Sequence, residues 1–263
     1  MKKLIFLIAF SAPLLPILCS AQAAFDGTWK IDMSKVNFPK KPDEFLLQNG
    51  MYACKTCTPP YEIKADGTDQ AVSGHPYYDT VAIKVLNDHA IEETDKKDGK
   101  VVATSTTTVL SDGKTAMFEF SDSSNTNAAP VTGKGEATRV AKGPAGSNAI
   151  SGSWRTTKFE TVSDNGITFT YKVSGGALTM TNPTGQSYTA KLNGTEAPYN
   201  GDPGTTSVSV KQTGKNTIEE TDKRDGKVIG VTRSTVASDG KSMTVAWTDE
   251  LHGTNGQFVA EKQ

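Results

Sequence analysis

The 263 residues carry 28 basic and 29 acidic side chains; without Lys2 and Lys3 the balance is 26 to 29, a formal charge of −3. No long run of either sign follows, so no phosphate-tracking surface is implied and no nucleic-acid partner is expected. Length allows one large all-β domain or two of about 120 residues.

Residues 1–23 combine Lys2 and Lys3, an apolar run and the triplet Ala21-Gln22-Ala23, the layout of a secretory signal peptide cleaved before Ala24. Pro13 and Pro16 interrupt a run shorter than the roughly 20 apolar residues of a membrane span. No stable membrane insertion is therefore expected after cleavage, and the location is expected to be periplasmic or secreted. Leu18 stands where lipidation of Cys19 would require a small residue.

The stretch "FDGTWK" opens the mature chain with Gly27-x-Trp29. Beyond it, Phe45, Leu46 and Leu47 suggest a short turn of helix. Cys54 and Cys57 follow, and in an oxidising compartment a local disulfide is expected. A thioredoxin-type pair needs a helix N-terminus beside a βαβ unit, which the surrounding pattern does not supply. Zinc could recruit Cys54 and Cys57 with His75 and His89, but the second cysteine pair of a strong signature is absent. Haem attachment needs His where Thr58 stands.

A shift of 127 positions aligns Tyr61 to Phe120 with Tyr188 to Trp247 without a gap, with 24 of 60 residues identical. "FDGTWK" likewise meets "ISGSWR", which carries Gly152-x-Trp154. Two duplicated units are predicted, 24–143 and 150–263, joined by a Gly-, Pro- and Ser-containing linker near 141–149. Within them the apolar period is two: Val81, Ile83 and Val85; Ile167, Phe169, Tyr171 and Val173; Met243, Val245 and Trp247. The twin decapeptides "IEETDKKDGK" and "IEETDKRDGK" place Asp98-Gly99 and Asp225-Gly226 at tight hairpin turns. Ser111-Asp112-Gly113-Lys114 and its mate from Ser238 close the next hairpins. Glu92, Glu93, Asp95 and Asp98 lack calcium-loop spacing and read as a solvated ribbon. No nucleophile, base and orienting group can be named together, so no catalytic residue, cofactor or metal is expected. "GKT" and "GKS" lack the first glycine of a phosphate loop and read as turns.

Gly-x-Trp followed by up-and-down hairpins resembles the lipocalin and fatty-acid-binding (calycin) group. That resemblance implies two tandem antiparallel up-and-down barrels, each with its Trp at a closed end beneath a basic residue of the last strand. The matching pairs are Trp29 with Arg139 and Trp154 with Lys262, each about 110 residues apart. The chain is also similar to a group of secreted bacterial proteins whose repeats read "GTWK", "DGK" and a closing "EKQ", a likeness that brings no activity with it. The first unit departs from the regular pattern where the second has its hairpin from Ile167 to Met180.

The expected function is a secreted or periplasmic lipocalin-like binding module for a small apolar or amphipathic ligand. Phe118, Phe120, Phe169, Tyr171 and Trp247 are its lining or, alternatively, simply core. Two other readings stay open. One is an envelope structural or protein-interaction module with an envelope protein partner, suggested by "VVATSTTTVL". The other is a thiol–disulfide role for Cys54 and Cys57.

Overall fold

The computed structural model describes residues 24–125 and 129–263. The expected signal peptide lies outside the described residues. The first ten strands are β1 (Gly27–Ile31), β2 (Asp43–Gln48), β3 (Met51–Cys54), β4 (Tyr61–Lys64), β5 (Gln70–Ala71), β6 (Thr80–Asn87), β7 (Ala90–Lys97), β8 (Lys100–Val109), β9 (Thr115–Asp122) and β10 (Val131–Lys142). After them come β11 (Gly152–Val162), β12 (Thr168–Ser174), β13 (Ala177–Thr181), β14 (Ser187–Lys191), β15 (Asn193–Asn200), β16 (Ser207–Gly214), β17 (Thr217–Arg224), β18 (Lys227–Val236), β19 (Ser242–Asp249) and β20 (Thr254–Lys262). A single helical turn, Asp164–Ile167, leads into β12, so Ile167 ends a helix rather than beginning a strand.

The strands form two ten-stranded antiparallel sheets, and the all-β, two-barrel architecture expected from the repeat is what the chain adopts. The sheets do not follow the repeat boundaries, however. One sheet runs β4-β3-β2-β11-β10-β9-β8-β7-β6-β5; the other is a closed barrel of β12 to β20 with β1 as its tenth strand. Residues 43–162 thus make one complete barrel-like unit, inserted between the first two strands of the second barrel. The divisions 24–143 and 150–263 are corrected accordingly.

The reason lies in the stretch expected to be a linker. The Asn148 amide donates to Leu47 O at 2.9 Å, Ala149 N to Asp88 O at 3.0 Å and Leu47 N to Ser151 Oγ at 2.8 Å. These bonds turn β10 directly back into β11, a closure over a short loop with little entropy to lose. With β11 committed to the first sheet, β1 occupies the place between β20 and β12, Trp29 opposite Lys262 on one side and Phe169 on the other.

The first sheet has no hydrogen bonds between β4 and β5, but a bridge between Asp66 and Lys84 ties the turn between them to β6. Its start also corrects the expected helical turn around Phe45. Asn49 and Gly50 both have positive φ, 54° and 75°, and fold Asp43–Cys54 into a hairpin with Phe45 opposite Cys54 and Leu47 opposite Tyr52. Gly175 and Gly176 turn the matching hairpin of the second barrel, so the two units agree at this hairpin and differ at β4 and β5, whose counterparts β14 and β15 are paired. The turns at Asp98-Gly99 (φ 50° and 74°) and Asp225-Gly226 (49° and 77°) are as expected.

Each barrel end is shut by a Gly-x-Trp, but the partners are exchanged relative to expectation. Lys262 Nζ lies 5.2 Å from the centre of the Trp29 ring, and the Arg139 guanidinium lies 4.0 Å from that of Trp154. Each indole Nε1 donates at 2.8 Å to the carbonyl four residues earlier, Phe25 or Ile150. The glycine is required because φ is +132° at Gly27 and +127° at Gly152. A Cβ at Gly27 would also strike the Lys262 stem, and one at Gly152 the Ala141 carbonyl. Arg139 further donates three hydrogen bonds of 2.6 Å, to the carbonyls of Gly113, Ala149 and Ser151.

Two outcomes are expected. Arg139→Met should lower unfolding free energy by roughly 2–4 kcal/mol, since three charge-assisted bonds go with the cation–π contact. Lys262→Met should lower it by only about 0.5–2 kcal/mol; urea melts compare them. A fragment of residues 43–162 should fold alone, whereas residues 150–263, lacking β1 and carrying an orphaned β11, should aggregate; size exclusion and circular dichroism distinguish the two.

Candidate functional site

Ile91 is buried, and strand alternation carries Glu93 and Asp95 onto the same inward face of β7. Ile218, Glu220 and Asp222 repeat this on β17. The acids expected to form a solvated ribbon therefore divide: Asp98 is an exposed turn residue, while Glu93 and Asp95 point into the unit. Tyr61 OH donates to Glu93 Oε1 at 3.3 Å, and its repeat mate Tyr188 donates to Glu220 Oε2. Asp95 Oδ1 and Asp222 Oδ1 are buried with no hydrogen-bond partner among the described residues.

Burial is the main force holding all four carboxyls above the ordinary carboxylate range. Asp95 is raised further by Glu93, and Glu220 by Asp222, because two like charges side by side in an apolar interior oppose each other. Burial, with Glu93 and Glu220 adding to it, pushes the Tyr61 and Tyr188 phenols up, so both stay protonated donors.

The two interiors differ in what surrounds these acids. The first unit holds a cavity of about 260 Å³, with Phe45, Tyr52, Phe118 and Trp154 among its walls and Glu93 as a carboxyl on it. Register places each lining residue beside its mate in the second barrel. Ala116 faces Ala137 across β9 and β10, and Met243 faces Ala260 across β19 and β20. Asp43 lies opposite Trp154 where Phe169 lies opposite Trp29. Ile150 and Thr156 line the cavity where the second repeat's partners Phe25 and Ile31 stand. Phe25, Ile31, Phe169 and Met243 are larger apolar residues at these positions of the second barrel, while Leu178 and Val245 are smaller than their mates Tyr52 and Phe118.

The aromatic residues expected to line one site are dispersed. Phe118 is on the cavity wall, and Phe120 packs beside it around Phe159, filling the space over Gly133. Phe169 and Tyr171 pack edge-on at 5.2 Å within the second core. Trp247 lies over Gly256 on the face of β19 that also carries Met243 and Val245. Glu93, Tyr61 and Ala116, which shape the cavity's chemistry, were not singled out as site residues, although alternation from Ile91 marks the first.

Cys54 and Cys57 are bonded, with sulfurs 2.02 Å apart. Cys54 ends strand β3 and is 2% exposed, so the first sulfur is neither at a helix N-terminus nor accessible. His75 packs against Tyr78 at 4.6 Å and edge-on to Tyr61, and His89 sits in the turn between β6 and β7. No protein-family profile matches the chain, and no curated protein matches its sequence.

The acid pairs set a pH dependence. A carboxyl that binds its proton more tightly when folded adds stability that is fully present below about pH 4 and is lost as pH rises through the folded value, here up to about 8 for Asp95 and Glu220. His75, held below its ordinary 6.5 by burial, works the other way on the acid side, one group against four. The melting temperature should therefore fall between pH 5.5 and pH 8 (a range set by about these values). Glu220→Gln with Asp222→Asn should flatten that slope in a calorimetric series.

Proposed function

We propose that the protein is an extracytoplasmic binding module whose first unit holds a small amphipathic ligand in the cavity beside Glu93. The observation that carries this reading is the cavity within the first unit, where Ala116 and Asp43 stand at the positions of Met243 and Phe169 in the second barrel. Aromatic and aliphatic walls interrupted by Glu93, Asp43, Ser105, Thr107 and Thr156 suit a ligand with an apolar body and a hydrogen-bonding head. Glu93, its carboxyl raised above the ordinary range by burial, can donate to such a head when protonated and accept from it when ionised. The volume lies below the roughly 300–1,000 Å³ typical of pockets for drug-sized molecules, so the ligand is small. The disulfide and the apolar N-terminal segment support a location outside the cytoplasm.

The interaction-module reading has less support, because all of "VVATSTTTVL" but Leu110 lies in β8, which is hydrogen-bonded to β7 and β9 and offers no free edge.

The second repeat supplies the test. Ala116→Met copies Met243 into the cavity and should leave the fold intact, raising stability by up to about 2 kcal/mol as cavity-filling changes do. Native mass spectrometry of protein purified from its own host should show a small bound mass in the parent and none in Ala116→Met. No adduct on the parent, or an adduct that persists in the variant, rejects the proposal.

A further inference from the structure

The polar groups on the wall of the first unit's cavity share one chemical character. Glu93 and Asp43 bring carboxyls, and Ser105, Thr107 and Thr156 bring hydroxyls, while no lysine, arginine, histidine or amide side chain lines the space. Each of these groups can accept a hydrogen bond, and none carries a positive charge.

Register orders them along the unit. Glu93 lies opposite Ser105 across β7 and β8; one pair nearer the tryptophan-closed end, Ile91 lies opposite Thr107, which in turn faces Phe118 on β9. Below that, Ala116 faces Ala137, whose partner on β11 is Thr156, two residues beyond Trp154. Glu93 thus stands at the end of the cavity away from Trp154, with a hydroxyl beside it and an apolar floor beneath. Asp43 is different: it is exposed at the rim, where Lys41 and His252 already act on it.

The inner acid is short of partners. Glu93 accepts from Tyr61 at 3.3 Å, and the neighbouring Asp95 keeps a buried oxygen with no hydrogen bond among the described residues. The groups around them are the phenols of Tyr52, Tyr61 and Tyr78, on which the Glu93 charge bears, and Asp122, which bears on Asp95. No cation is among them. Neither Glu93 nor Asp95 forms an ion pair among the described residues.

We propose that the head held at Glu93 is a protonated amine, so that the ligand is a small amphipathic amine with its apolar body against Ile91, Phe118 and Trp154. This rests on the reading of the cavity as a ligand site and names the class of ligand. A primary ammonium has three donors and no acceptor, which matches a wall of acceptors. Its charge replaces the proton that Glu93 binds in a buried site, that proton leaving to solvent, so ammonium and carboxylate are buried as a neutral pair. The faces of Tyr52 and Phe118 also favour a cation. A carboxylate head would add a third negative charge beside Glu93 and Asp95, and an alcohol would leave both acids without a counter-ion.

Isothermal titration calorimetry of the full chain at neutral pH tests this with hexylamine, 1-hexanol and hexanoate, which share a chain length and differ in the head. Hexylamine should bind at one saturable site, at least about tenfold more tightly than 1-hexanol, and hexanoate more weakly than either. Glu93→Gln should weaken hexylamine about tenfold and change 1-hexanol by less than about twofold. Ala116→Met, which fills the floor of the cavity, should abolish binding of hexylamine. The amine is overturned if 1-hexanol or hexanoate binds as tightly as hexylamine, or if Glu93→Gln binds hexylamine as tightly as the parent does. Hexylamine binding that persists in Ala116→Met overturns it as well, by placing the amine outside the cavity. If hexylamine does not bind at all, the proposal also falls, and native mass spectrometry separates the two failures: an adduct on the parent that Ala116→Met loses leaves the cavity a site for another class of ligand, and no adduct removes the cavity reading too. Circular dichroism checks that Glu93→Gln folds, and the comparison of the three heads on the parent stands without that variant.

Discussion

The pairing of β1 with β20 is the contact on which the architecture depends. It closes the second barrel, seats Trp29 beneath Lys262, and joins two strands more than 220 residues apart. Because β1 also pairs with β12, the chain leaves the barrel at β1 and re-enters beside it. The unit 43–162 is therefore held at both ends by neighbouring strands. Its connection 32–42 continues alongside β20, where Asp32 N donates to Val259 O and Asn37 bridges Gln257. Loss of β1 would expose the edges of β12 and β20 and remove the tryptophan from its core.

Duplication gave two interiors with the same hydrogen-bonded frame and different contents. The shared elements are mechanical: the Gly-x-Trp end, the Asp-Gly turns, and a tyrosine donating to a glutamate beside an aspartate. The differences concern volume. Methionine, phenylalanine and isoleucine fill positions of the second barrel where the first has alanine, aspartate and threonine. A filled core contributes dispersion and apolar burial, whereas an open one forgoes those contacts at its walls.

Period-two alternation, the repeat and the glycine-containing turns were legible in the sequence because each is local in the chain and has a direct backbone cause. The hairpin at Asn49-Gly50 was equally local, but the run Phe45-Leu46-Leu47 obscured the alternation of Phe45 and Leu47 with Tyr52 and Cys54. Glu93 and Asp95 were misplaced for a different reason. Their charge suggested solvent, while their spacing from Ile91 placed them inside, and in a strand whose neighbours are paired on both sides the spacing prevails. The crossing of β1 into the second barrel was not legible. Either pairing of the first and eleventh strands satisfies the same pattern of alternating residues, and only the hydrogen bonds of the corner 143–151 choose between them. The cavity likewise depends on which residues face each other across strands, a relation fixed by register.

The insertion has a topological meaning as well. With β1 beside β20, the two ends of the described chain meet, and the order of strands is that of a ring cut open. Read from β12 around through β20 to β1, and onward from β2 to β11, the same ring resolves into two uninterrupted barrels in succession. The sequence repeats and the folded units are thus the same two objects counted from different starting points, displaced by a single strand. A chain re-ligated across its ends and opened at 163–167 would become an ordinary pair of domains joined by one connection, free to turn about it. The natural opening point instead joins the domains by two backbone connections, and the Tyr77 hydroxyl adds a hydrogen bond of 2.9 Å to Asp202 Oδ1 between them.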